Sequence, residues 1–197
     1  LSVTFTNKAA KEMKSRVLSL LNTKELEMSI GTFHSICAKL IRVEAKNIGL
    51  DPHFVIYDVQ DQLDLLKLIF TKMNISKDIL TPNKARNIIS AFKCKMILPA
   101  TQQKKARTNY EKIISDIYTI YQKELKKNEA LDFDDLLLYP LDLFKNNPLV
   151  LEKYQDRWKY ILVDEYQDTN KPQFEFIYMV SCNNNEITVV GDDDQSI

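Results

Sequence analysis

Two short apolar runs near the C-terminal end, each passing directly into acid, constrain this chain more than any other feature. Tyr160-Ile161-Leu162-Val163 leads into Asp164-Glu165, and Ile187-Thr188-Val189-Val190 leads into Gly191-Asp192-Asp193-Asp194-Gln195. Apolar runs of this length with polar boundaries read as buried strands. Between them Asn170-Lys171-Pro172 starts a helix carrying Phe174, Ile177 and Tyr178. Strand, helix, strand with acids at the strand ends is the pattern of a parallel α/β sheet. Ligands of such sheets gather at the carboxyl ends of the strands.

The N-terminal stretch fits the same sheet. Leu1 to Phe5 reads as a short buried strand, and Thr6 or Asn7 caps a helix whose apolar face is Met13, Val17, Leu20 and Leu21. Met28-Ser29-Ile30 enters Gly31-Thr32, followed by a helix with Phe33, Ile36, Cys37, Leu40 and Ile41 inward and a stop at Asn47-Ile48-Gly49. From about Asp51 the pattern is helical. Asp58 caps a helix packed through Leu63, Leu66, Ile69, Phe70 and Met73. Thr81-Pro82 starts another, using Ala85, Ile88, Ile89 and Phe92, which Pro99 ends. A long helix then buries Ile113, Ile114, Ile117, Tyr118 and Tyr121. Asp132 opens the next, with a kink expected at Pro140 and a break at Asn146-Asn147-Pro148. The parse is an α/β domain interrupted by an all-helical insertion.

Composition narrows the class. At 197 residues with 45% hydrophobic content the chain can bury a real core, and no apolar run approaches the ~20 residues of a membrane span. Its three cysteines, Cys37, Cys94 and Cys182, are far apart, which argues against a disulfide framework or zinc site and suits a reducing cytosol. The absence of a leading methionine points to a piece of a longer protein. Net charge is zero, yet residues 1–50 hold 8 Lys/Arg against 4 Asp/Glu, residues 51–131 hold 14 against 9, and residues 132–197 hold 5 against 14. That asymmetry suggests a polyanion surface joined to a metal-binding one. Composition alone fits ordinary solvated faces as well.

An Asp-Glu pair at a strand end can serve a nucleotide in two ways. One carboxylate holds hydrated Mg²⁺, which takes one or two carboxylates plus phosphate oxygens. The other orients and deprotonates an attacking water. Alone, the pair reads equally as a capped surface turn. Asp192-Asp193-Asp194 adds three like charges at a second strand end, costly without solvent, metal or cations nearby, and Gln195 can donate a hydrogen bond to a terminal phosphate.

Asp164-Glu165-Tyr166-Gln167-Asp168-Thr169-Asn170 resembles motif II of UvrD/Rep/PcrA-type superfamily 1 DNA helicases, and Val190-Gly191-Asp192-Asp193-Asp194-Gln195-Ser196-Ile197 resembles the start of their motif III. Thr4-Phe5-Thr6-Asn7-Lys8-Ala9-Ala10 is similar to motif Ia, and Gly31-Thr32-Phe33-His34-Ser35 to motif Ib. Leu131-Asp132-Phe133-Asp134-Asp135-Leu136 is similar to the segment before motif II. Five matches in the right order run the length of the chain. The resemblance implies an α/β fold with a partial RecA-like parallel sheet of the P-loop NTPase type. Residues 1–50 and 146–197 would form two parts of one motor domain, and 51–145 a helical inserted subdomain.

The same resemblance implies roles. Asp164 would coordinate Mg²⁺, Glu165 would activate water and Gln195 would sense the γ-phosphate of ATP. Phe5, Thr32 and His34 would line a single-stranded DNA track, with Phe133 beside it. An aromatic face stacks on any base, and hydroxyl and imidazole groups hold phosphates. From the residues alone, Phe5 reads as a core phenylalanine and His34 as a helix-start histidine with a local hydrogen bond. Residues 84–107 hold Lys84, Arg86, Lys93, Lys95, Lys104, Lys105 and Arg107 with no acid, either a solvated helical face or a surface that meets duplex DNA.

With only Gly31, Gly49 and Gly191, these residues contain no Gly-x-x-x-x-Gly-Lys-Thr phosphate loop. The family carries that loop upstream and its catalytic arginines in a second lobe. The 197 residues by themselves are therefore expected to be inactive. The parent is expected to be an ATP-dependent 3′-to-5′ DNA helicase of repair or replication, acting on single-stranded DNA and duplex junctions with accessory proteins. Two rivals are the motor part of a RecB/AddA-type helicase–nuclease and a non-catalytic helicase-derived binding module.

Overall fold

The structure, a computed structural model, describes residues 1–23, 27–76, 78–183, 186–192 and 194. From the N-terminus come β1 (Ser2–Thr4), α1 (Asn7–Leu20), β2 (Ile30–Thr32) and α2 (Phe33–Val43). Next are β3 (Val55–Tyr57), α3 (Val59–Lys72), α4 (Pro82–Cys94), α5 (Pro99–Lys105), α6 (Asn109–Lys127) and β4 (Ala130–Asp132). Then follow α7 (Phe133–Asn146), α8 (Pro148–Arg157), β5 (Tyr160–Val163), α9 (Lys171–Ser181) and β6 (Glu186–Val189).

The main sheet is parallel, in the order β2-β1-β5-β6, so two stretches far apart in sequence build one layer. Its central strands are apolar because parallel strands are covered on both faces. Val3 and Val163 are fully buried, and around them gather Phe33, Cys37, Leu137, Leu141, Phe144, Tyr154, Trp158, Ile161, Phe176 and Ile177. The side chains of Thr6, Thr32, Asp58, Thr81, Thr108, Asp132 and Asn170 each accept the backbone hydrogen bond that starts a helix. Gly49, at φ 65°, closes the turn after α2 in a left-handed conformation that glycine adopts without steric cost.

A second cluster, built on Leu66, Ile69, Leu80, Ile89, Ile117, Tyr118, Tyr121 and Leu125, packs α3, α4 and α6 together. Helix α7 reaches back from this helical region into the sheet, burying Leu137, Leu141, Leu143 and Phe144 there and running through Pro140 without interruption.

Several expectations change. The helical region is bracketed by a second parallel sheet, in which Val55-Ile56-Tyr57 pairs with Ala130-Leu131-Asp132. Pro99 does not end a helix. Helix α4 stops at Cys94 and Pro99 opens α5, at the first-turn position where its missing N–H costs nothing. Helix α1 buries none of its residues, and Leu20 and Leu21 are 84% and 60% exposed. Strand β6 is an uncovered edge, with Ile187, Val189 and Val190 all exposed. No helix among the described residues is long and apolar enough to cross a membrane.

Candidate functional site

Strand β5 delivers Asp164 to the carboxyl edge of the sheet. Its backbone N–H donates to the Val3 carbonyl (3.0 Å), and its Oδ2 accepts from Thr4 Oγ1 at 3.2 Å. The half-buried carboxylate faces a cavity of about 320 Å³ lined by Ala9, Glu12, Met13, Arg16 and Val17 of α1. Glu165 then takes a left-handed backbone (φ 53°, ψ 45°), which costs a residue with a side chain on the order of 1–2 kcal/mol. That reversal starts a short 3₁₀ turn over Tyr166–Asp168, and the Tyr166 N–H donates to the Val190 carbonyl at 2.9 Å.

Gln167, not singled out from the sequence, binds the two acidic strand ends together. Its Nε2 donates to Glu165 Oε2 at 2.7 Å, and its Oε1 accepts from the Asp192 N–H at 3.1 Å. Gly191 makes room for this bridge, since a Cβ there would stand 2.8 Å from Gln167 Oε1. The amide thus holds the Glu165 carboxylate in place.

Among the described residues, neither Asp164 nor Glu165 pairs with a Lys or Arg. Nor do three or more His, Cys, Asp or Glu side chains gather there as a dedicated metal cage. One open carboxylate beside a cavity fits Mg²⁺, which keeps several waters and completes its shell with phosphate oxygens. Gln195 lies outside the described residues.

On the neighbouring strands the same edge carries aromatic groups. Phe5 follows Thr4, so the residue that donates to Asp164 directly precedes the first aromatic. The Phe5 ring lies edge-on to Phe33, centroids 5.7 Å apart. His34 follows Phe33 on α2 and meets Phe133 edge-on at 5.8 Å. These are two separate aromatic pairs at the same edge: Phe33 is buried beneath Phe5, whereas Phe133, beside His34, is 47% exposed. Burial lowers the His34 pKa, favouring the neutral ring near neutral pH. Thr32 is buried, and its Oγ1 caps α2 by accepting the Ser35 N–H at 3.2 Å, which leaves its hydroxyl hydrogen as a donor.

The basic stretch divides. Lys84, Lys95, Lys104, Lys105 and Arg107 are exposed, but Lys93 is 1% exposed and paired with Asp132 and Asp135. It belongs to neither of the surfaces expected from the sequence.

A parallel sheet in this order, with acids at the carboxyl ends of β5 and β6 and helices packed on it, is a RecA-like α/β fold. Residues 1–197 match the model of the UvrD/REP helicase N-terminal domain, and the chain belongs to that family. It is 42% identical over 197 residues to the ATP-dependent DNA helicase PcrA of Bacillus subtilis (strain 168). It is 41% identical over the same length to the ATP-dependent DNA helicase PcrA of Staphylococcus aureus (strain NCTC 8325 / PS 47). Each match covers 100% of this chain and 27% of the relative, so the chain spans about a quarter of the length of the curated relatives it matches.

Proposed function

We propose that this chain forms the magnesium-and-water half of the ATPase site, together with part of the single-stranded DNA track, of an ATP-dependent DNA helicase. The observation that carries this reading is the Thr4–Asp164 hydrogen bond, one residue away from Phe5. It joins the acidic end of β5 to the segment that carries Phe5, so a change at the nucleotide would be felt at that end of the DNA track. Asp164 would hold Mg²⁺, and Glu165, oriented by Gln167, would take the proton of the attacking water. Mg²⁺ bound to ATP would supply charge neutralisation at the phosphates. The loop that cradles those phosphates, and Gln195 as γ-phosphate sensor, complete the site in this reading.

Residues 1–50 and 146–197 are assigned to the motor domain and 51–145 to its insertion. The uncovered edge of β6 and the bare apolar side of α1 support packing of further motor-domain structure there, since parallel strands are ordinarily covered. Phe5, His34 and Phe133 stack on bases while Thr32 donates to a phosphate. The exposed lysines between 84 and 107 meet the duplex at a junction. Movement is assigned a 3′-to-5′ sense, and the pathway repair or replication, alongside accessory proteins.

Fluorescence anisotropy of the intact protein with labelled single-stranded DNA tests the track. Phe5→Ala is expected to weaken binding by about 1–3 kcal/mol, the worth of one stacked base. Binding should also weaken steeply with added salt. Unchanged affinity in Phe5→Ala, with no salt dependence, would remove DNA from this face.

A further inference from the structure

Lys93 is the buried cation that the catalytic reading leaves unused. Its ammonium lies 2.7 Å from Asp132 Oδ2 and 2.8 Å from Asp135 Oδ1, with the Tyr121 ring centroid at 5.5 Å. Those two acids form the capping box that starts α7. Asp132 Oδ1 accepts the Asp135 N–H at 2.9 Å, and Asp135 Oδ2 accepts the Asp132 N–H at 3.3 Å. Tyr121 OH adds a bond to Asp132 Oδ2 (3.0 Å) and Gln122 Nε2 one to Asp135 Oδ1 (3.0 Å). Every carboxylate oxygen of the box is thus occupied. A capping box is usually solvated and adaptable, but this one is buried and held from α4 and α6 at once.

The residue inside this box is Phe133. Asp132 precedes it, held by Lys93, and Asp134 follows it, accepting from Cys94 Sγ at 3.7 Å. Consecutive residues of α4 therefore hold the side chains on both sides of Phe133. Its ring projects from the clamp, half exposed, against His34.

We propose that Lys93 is a positioning residue for the nucleic-acid track, clamping the start of α7 so that the Phe133 ring is held against His34 to receive a base. This rests on the reading of Phe133 and His34 as track residues. It requires no contact between Lys93 and DNA. The helical insertion thereby becomes part of the grip through one buried ion cluster, and a base stacks on a ring whose freedom has already been removed.

A double-mutant cycle on the intact protein decides it, read as affinity for a fluorescent oligothymidylate. Phe133→Ala and Lys93→Met are each expected to weaken binding roughly fivefold or more. The double variant should bind no more weakly than Phe133→Ala alone, because Lys93 acts through that ring. Asp135→Asn keeps an amide oxygen for Lys93 and so disturbs the cluster less. It should shift affinity in the same direction, again without effect once Phe133 is alanine. This pair decides the question should Lys93→Met fail to fold. If Phe133→Ala weakens binding but the cluster variants bind normally, or the losses multiply, the clamp is wrong and the track stands. If Phe133→Ala binds as the wild type does, Phe133 is not in the track and the clamp falls with it.

Discussion

Glu165→Gln is expected to lower DNA-stimulated ATP hydrolysis by the intact protein about 100- to 10,000-fold, the usual contribution of a positioned general base. The substitution suits the local geometry. Gln167 Nε2 donates to Glu165 Oε2, and a glutamine at 165 still offers a carbonyl oxygen to that bond. Shape and the left-handed backbone are retained, and only the ability to accept a proton is lost. Affinity for single-stranded DNA should hold, because the substitution keeps the shape and the Gln167 hydrogen bond at 165 and leaves Phe5, His34 and Phe133 themselves unaltered. Steady-state phosphate release with saturating ATP and DNA gives the number. A fall of less than about tenfold would mean that another group takes the proton.

The second large effect is on stability. Lys93→Met keeps the length and apolar stem of the side chain, so little packing is lost, but it leaves Asp132 and Asp135 buried without their cation. Breaking a buried ion pair in this way costs about 3–5 kcal/mol. The local opening free energy from hydrogen exchange at the Tyr118 and Leu136 amides should fall by that amount. Unchanged exchange would show that the carboxylates find other partners.

The pH dependence carries a sign. Burial raises the Asp135 carboxyl to about 6, opposed by Lys93 and reinforced by Asp132. Burial also raises Asp134, and Tyr118, Tyr121 and Tyr139 face the cluster in their neutral forms. Lys126 and Asp142 line the adjoining cavity. A carboxyl whose folded pKa is raised binds its proton more tightly when folded, so stability is lost as pH rises from its ordinary value through the folded one. In the wild type that window runs from 3.8 to about 6. In Lys93→Met the opposing cation is gone, so the window extends upward and exchange should quicken into neutral pH.

Much of the molecule was legible because its signals are local. Thr6, Asp58 and Asp132 announce helix starts, since a short oxygen-bearing side chain satisfies free N–H groups within one turn. The acids at the ends of β5 and β6 were readable because the apolar runs stop so sharply. What escaped depends on pairing across long stretches of chain. Val55-Ile56-Tyr57 is too short to read as a strand, and its partner lies at Ala130–Asp132. Lys93 looked like one more solvated cation because its acids come 39 and 42 residues later. Thr4 and Asp164, 160 residues apart, are neighbours only once β1 and β5 pair. Gln167 stands within its motif, but its bridging role depends on the close approach of Gly191 from the other strand end.

The most direct test is movement of the intact protein along single-stranded DNA, followed as ATP-driven arrival at an end-labelled fluorophore. The predicted result is arrival at the 5′ end that requires ATP and Mg²⁺, is abolished in Glu165→Gln and is slowed in Phe5→Ala. ATP-independent arrival, or hydrolysis indifferent to DNA and to both substitutions, would contradict a motor in which the Asp164–Thr4–Phe5 junction joins fuel to track.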